Sequence, residues 1–235
     1  MNLIKIIKKF LLIQNITSSI VAKIPPYLEF TLGKYSAIKK ALYITAHDQT
    51  FGSYIEFGVF TGSSFNFAMK ANKSLDKLLG NSECNFFGFD SFDGFGEIQK
   101  DDSHPRFSDD TFSVDEKKIL KNIKKSSSGQ PYQIIKGFFQ DTLLKDPKEY
   151  GIKKARVVMI DCDLKEPTTL ALNFIKNILQ QGTIILFDDY IFYKGNENKG
   201  EFAAFKEFRE RFPSIKFREA FEYGYGSKAF IVSKI

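Results

Sequence analysis

Six carboxylates stand at the ends of short apolar runs in this sequence. Glu56 lies in SYIEFG, Asp90 closes ECNFFGFD, Asp161 and Asp163 follow RVVMI, and Asp188-Asp189 follow TIILF. Asp161, Asp163, Asp188 and Asp189 would repel one another at neighbouring strand ends unless a cation lay among them. Two histidines and two cysteines in the whole chain exclude a His-rich or four-thiolate metal centre. Any metal is therefore a hard cation on carboxylates, as Mg2+ would be. An open divalent site of that kind lowers the pKa of a hydroxyl and orients it as a nucleophile.

The run EFGVFTGSS, Glu56–Ser64, places Gly58 and Gly62 where a strand turns into a helix. Its spacing is G-x-x-x-G, and the chain has neither G-x-G-x-x-G here nor a GK[ST] phosphate loop, so dinucleotide and P-loop readings fail. What remains suits a ligand without phosphates whose charged amino acid end rests on the turn. Asp90, followed by Ser91, ends the second strand, where nucleoside-binding sheets hold ribose hydroxyls.

The elements that must position these residues follow from apolar pattern and punctuation. Strands are expected at 53–58, 83–90, 132–136, 156–161 and 183–188, the fourth a nearly uninterrupted apolar run of the kind buried on both faces of a parallel sheet. Helices are expected at 1–23, closed by Pro25-Pro26, at 34–46, from the glycine turn to Leu79, at 166–180 and at 201–212, where Phe202, Phe205, Phe208 and Phe212 recur at helical spacing. Two last strands, 215–220 and 228–232, flank the turn YGYGS. Strands alternating with helices before a terminal hairpin predict an α/β, doubly wound, mostly parallel seven-stranded sheet with a C-terminal antiparallel hairpin. The polar stretch Glu97–Thr111 is the longest loop, of a length that suits a lid or binding loop.

Composition adds limits. A 235-residue chain with 43% hydrophobic and 26% charged residues is globular rather than disordered or fibrous. The net charge of +6 raises the question of nucleic acid, but the carboxyl edge of the expected sheet is rich in Asp, which would repel phosphates. No nucleic acid partner is expected. The N-terminal apolar run is broken by Lys5, Lys8 and Lys9, so it is neither a signal peptide nor a transmembrane span, which needs about 20 apolar residues. It reads as an amphipathic helix that packs on the domain, on a second copy in a homo-oligomer, or weakly on a membrane surface. The cytoplasm is the expected location.

The motifs E-x-G-V-x-x-G-x-S, F-G-F-D-S-F-x-G-F, G-x-F-x-D-T-L at Gly137–Leu143, D-x-D-L-x-E-P-T and G-x-I-I-x-x-D-D-Y, in this order over residues 50–235, resemble the macrocin O-methyltransferase family. The resemblance implies a methyl transfer from S-adenosylmethionine to a sugar hydroxyl, assisted by Mg2+. It implies a cofactor site of Glu56, Gly58, Gly62, Ser63, Asp90 and Ser91, with Asp161 at its edge, and a metal site of Asp161, Asp188 and Asp189. Asp163 matches a position proposed as general base in some members; others use a histidine, so His104 in the long loop is kept beside it, although it also reads as a solvated loop residue. His47 reads as structural, and Cys162, between two aspartates on a strand, should pack in the core.

Three positions depart from the family pattern. Ser63 replaces a glycine, which is tolerable if its φ is negative. Lys165 replaces an aromatic residue and is expected to change acceptor contacts, and Gly96 replaces a proline. Residues 1–49 are expected as an N-terminal helical extension and 50–235 as the methyltransferase domain, taking a small-molecule or glycan acceptor. An RNA-modifying or nucleic-acid-binding protein on the same fold is the alternative reading. An inactive scaffold is disfavoured because all three metal-ligand positions are filled.

Overall fold

The strands are β1 (Ser53–Phe57), β2 (Phe86–Asp90), β3 (Tyr132–Lys136), β4 (Ala155–Ile160), β5 (Ile184–Phe187), β6 (Lys216–Tyr223) and β7 (Ser227–Lys234). They form one sheet in the order β3-β2-β1-β4-β5-β7-β6 in a computed structural model that describes residues 3–80, 84–108, 110–127 and 129–235. β1 to β5 are parallel, and β7 runs antiparallel to both β5 and β6. The expected start of the second strand at Glu83 lies outside the described residues. β1, β4 and β5 are buried along their whole length, and β4 (apart from Arg156) and β5 are accordingly near-continuous apolar runs rather than alternating ones.

Helices cover both faces. On one side lie α2 (Pro26–His47), α3 (Ser63–Leu79) and α4 (Glu116–Ser126), packed on a cluster that includes Tyr54, Phe86, Val157, Met159 and Leu186. On the other, α5 (Phe139–Thr142), α6 (Lys165–Ile175) and α7 (Gly200–Arg211) cover Phe57, Phe89, Ile160 and Phe187. α1 (Leu3–Val21) stands apart, with every described side chain exposed.

Some boundaries differ from the sequence pattern. α2 begins at Pro26, eight residues before the expected 34, because proline is pre-organised for the first helical position and has no N–H to leave unpaired there. α4 is absent from the expected elements: only Ile119 and Ile123 of its lysine-rich sequence are buried, too few to show a period. α6 ends at Ile175 and passes into a 3-10 turn.

The second half of the 1–49 region is built into the core. Ala37, Ile38, Ala41 and Leu42 of α2 are buried, and truncating one such Ile or Leu costs about 2–5 kcal/mol. The fully buried Arg156 fastens the helix to the sheet. Its Nε donates to Thr45 Oγ1 at 2.8 Å, its Nη2 to the Leu42 carbonyl at 2.8 Å and its Nη1 to Asn72 Oδ1 at 3.2 Å. Those bonds offset the desolvation of a buried cation. They also set where the first turns of α2 meet the sheet's carboxyl edge.

Candidate active site

The strand order reverses between β1 and β4, and the crevice opens there, at the carboxyl ends of the strands. Gly58 follows β1 at φ +88°, and a Cβ on it would collide with the Asp161 carbonyl. Glycine is thus required for β1 and β4 to approach this closely. Asp90 reaches across from β2: its Oδ2 accepts from the amides of Val59 (2.6 Å) and Phe60 (2.7 Å), and its Oδ1 from Phe92 (2.6 Å). Burial raises the Asp90 pKa, and those three amides oppose the rise. Ser91 Oγ donates to the Gly94 carbonyl at 2.7 Å and closes the following turn.

Glu56 is placed beneath this turn. It is fully buried, accepting from Tyr54 Oη at 2.5 Å and from Ser64 Oγ at 2.7 Å. Burial pushes its pKa up to about 8, with those two bonds pulling the other way. Gly62, at φ +76°, caps α3 against Ile119 and Ile123, and Ser63 begins the helix without a positive φ. Gly96 has φ +69°, a conformation closed to the proline it replaces.

Asp161, Asp188 and Asp189 present carboxylate oxygens within 4.8 Å of one another. Lys34 of α2 stands between two of them, its Nζ 2.7 Å from Asp161 Oδ2 and 2.5 Å from Asp188 Oδ2. Burial works against that charge, but the two aspartates outweigh it and hold the Lys34 pKa well above the ordinary value. Asp163 and Asp189 are neighbours, and the charge of Asp163, after burial, helps raise the Asp189 pKa. Burial, then the neighbouring charges of Asp161 and Glu201, push Asp163 up to about 8. Burial also raises Asp188, Asp189 and Glu201. Glu201 Oε2 accepts from the Asp189 amide at 3.0 Å, while Glu201 Oε1 and Asp188 Oδ1 are buried without a hydrogen-bond partner. One lysine therefore faces five carboxylates.

A cavity of about 1030 Å³ joins these parts. Gly58, Asp90, Ser91, Asp161, Asp163, Asp188, Asp189 and His104 all line it, whereas Glu56, Gly62 and Ser63 do not. The long loop is pinned over it by Asp102, whose Oδ1 and Oδ2 each accept at 2.9 Å from the Lys165 and Glu166 amides at the start of α6. Such capping satisfies donors that the helix cannot. Tyr193 Oη donates to the Asp102 carbonyl at 3.0 Å. His104 packs between Phe107 and Tyr193, and its pKa is lowered by burial and by Arg106 and Lys199. It is thus a half-buried wall residue, neutral at neutral pH, rather than a solvated one.

Lys165, expected at the acceptor, extends instead to Glu207 at 2.7 Å and does not line the cavity. Cys162 is buried in the core cluster as expected, although part of it reaches the cavity wall. His47 sits exposed at the end of α2 beside Asp48. Among the described residues seven non-glycine residues have positive φ, and five of them, Phe60, Phe112, Asp163, Tyr193 and Lys194, line the cavity. Strained backbone of this kind gathers where the surroundings hold a site in shape.

Lys34, Asp102 and Glu201 are site residues that sequence reasoning passes over. Glu201 lies in the first turn of a helix, where an acidic residue is ordinary, and Lys34 is one of 34 basic residues.

The family described as macrocin-O-methyltransferase (TylF) matches residues 32–216. Among solved structures, the O-methyltransferase NovP superposes with a TM-score of 0.67 at 17% identity, over 86% of this chain and 80% of that one. Calicheamicin methyltransferase CalS11 gives 0.67 at 22% identity, over 92% and 85%. Its apo structure, described as a TDP-rhamnose 3'-O-methyltransferase, gives 0.57 at 20%, over 92% and 86%. An O-methyltransferase from Bacillus cereus in complex with SAH gives 0.54 at 14%, over 87% and 81%. No curated protein matches the chain. At these identities the likeness to solved structures is one of fold.

Proposed function

Because this chain belongs to the macrocin O-methyltransferase family, we propose that it moves a methyl group from S-adenosylmethionine to a hydroxyl of a sugar or glycan, with Mg2+ at the acceptor. The observation that carries this reading is the single cavity that joins the Gly58 turn, Asp90 and the aspartate cluster. Its volume stands at the upper end of the range for ligand sites, roughly 300–1,000 Å³, and puts the donor turn and the aspartate cluster in one shared space. The TDP-rhamnose described for CalS11 favours a sugar over other acceptors.

When bound, S-adenosylmethionine supplies an electrophilic methyl group, so the hard chemistry belongs to the cofactor. Asp90 is the residue to accept from its ribose hydroxyls. It already orders the turn through the Val59 and Phe60 amides. Gly58 lets the backbone approach the amino acid end. Glu56 acts from beneath, holding Tyr54 and Ser64, and positions the turn rather than touching the ligand.

The residues fit a divalent cation. The donors are hard carboxylate oxygens, three of them converge, and a buried oxygen of Asp188 has no partner. Asp161, Asp188 and Asp189 would hold the ion, which when bound would orient neighbouring acceptor hydroxyls and lower their pKa. Lys34 competes for two of the same carboxylates. Asp163 is the residue to take the acceptor proton: it lines the cavity two residues from Asp161, and a cation bound beside it would favour the ionised carboxylate that a base needs, against the burial that raises it in the metal-free protein. His104, neutral and on the same wall, is the second candidate.

Calorimetric titration of the full chain with S-adenosylmethionine tests the donor half of this reading. Saturable binding, displaced by S-adenosylhomocysteine, is expected; absence of binding with and without Mg2+ would remove it.

A further inference from the structure

Helix α1 carries an apolar surface that the fold does not cover. Phe10, Ile13 and Ile20 are each 60% exposed and recur at helical spacing. Every described side chain from Lys8 to Lys23 is exposed. Exposed apolar surface on this scale is unusual for a soluble monomer and marks an interaction site.

The cavity wall also carries exposed apolar side chains. α2 begins at Pro26, a short turn after α1 ends at Val21, and Tyr27, 73% exposed, is part of the cavity wall. Ile191 (55% exposed) and Tyr225 (51%) also line the cavity, Tyr225 stacked on Phe30 of α2. An apolar rim thus faces the same solvent as the entrance.

Charge selects what covers this surface. The first 28 residues hold no Asp or Glu, against lysines at 5, 8, 9 and 23. A second copy of α1 would bring the same lysines with no carboxylate to meet them, and like charges in contact repel. An anionic lipid surface offers both missing parts, acyl chains for the apolar side chains and phosphates for the lysines. No described helix is long and apolar enough to cross a membrane.

We propose that α1 and the apolar rim of the cavity dock on an anionic lipid bilayer, with α1 lying along the headgroups and the cavity mouth turned toward them. The docking does not depend on the methyl-transfer reading.

Co-sedimentation of the full chain with phosphatidylcholine vesicles, and with vesicles of phosphatidylcholine and phosphatidylglycerol, tests it. Binding to the anionic vesicles is expected, weakening as salt screens the lysines, with little binding to the neutral ones. Lys8→Glu with Lys9→Glu should lower the partition coefficient by about thirtyfold or more, from the loss of two lysines at the surface. Phe10→Glu with Ile13→Glu should abolish binding while circular dichroism and the melting temperature stay unchanged, since both side chains are exposed. Failure of the full chain to pellet with anionic vesicles would overturn the proposal, as would equal binding to neutral ones. So would a stable lipid-free dimer that Phe10→Glu splits, since a second copy would then be what covers α1.

Discussion

Lys34 Nζ lies 2.5 Å from Asp188 Oδ2, an ion pair that joins the N-terminal helix α2 to the carboxyl end of β5. It is the one side-chain cation among the described carboxylates of the cluster, and it stands where a divalent ion would compete with it. Lys34→Met should therefore destabilise the metal-free protein by about 3–5 kcal/mol, the cost of removing one partner from a buried pair. The loss should shrink at acid pH, where the carboxylates protonate, and in the presence of Mg2+, which replaces the missing charge. Urea unfolding with and without MgCl2 measures this; an unaltered midpoint in metal-free buffer would show that the pair carries no stability.

Asp188→Asn removes a cluster charge without changing side-chain volume. Turnover should fall by orders of magnitude while S-adenosylmethionine affinity is nearly retained, because Asp188 makes none of the hydrogen bonds that order the Gly58 and Asp90 turn. Addition of Mg2+ should raise the melting temperature of the parent protein and not of this variant. Full activity in excess chelator, with no metal found in the protein, would contradict the metal role and leave Asp163 as a metal-free base.

Asp90→Ala should weaken S-adenosylmethionine binding by roughly 1.5–3 kcal/mol, the range for a hydrogen bond to a charged group. The same substitution leaves the Val59, Phe60 and Phe92 amides without their acceptor, so Asp90→Asn, which keeps one carbonyl oxygen, should lose less. Calorimetry showing equal affinity in all three proteins would place the ribose elsewhere.

The pH dependence of stability has a definite sign at Glu56. Its pKa is about 8 in the folded protein against an ordinary 4.5, so the native state holds a proton that the unfolded chain releases. The stabilisation is complete below about 4.5 and is lost as pH rises through about 8, with a slope of at most about 1.4 kcal/mol per pH unit for this proton. Glu56→Gln should flatten that part of the profile. A parent protein whose stability rises between pH 5 and 8 would contradict the assignment.

Much of the site was legible because its residues sit at the ends of buried parallel strands. There a run such as RVVMI must be apolar and the next residue is free to be chemical, so Asp90, Asp161, Asp188 and Asp189 stood out. Glu56 carried the same signal but turned inward, since strand alternation puts its side chain under the turn with Tyr54. Lys34 and Asp102 left no mark because their roles arise only from packing: one lysine of α2 brought over β4 and β5, and one loop aspartate brought to the α6 amides. α4 was hidden for a related reason, its two buried isoleucines being too few to reveal a helix.

Transfer of labelled methyl from S-adenosylmethionine to a panel of nucleotide sugars and glycans, by the full chain with Mg2+, tests the central claim most directly. The expected result is one methyl group gained by a hydroxyl of at least one sugar, matched by S-adenosylhomocysteine and lost in Asp163→Asn and in excess chelator. Transfer to RNA instead, with no sugar labelled under any condition, would contradict it.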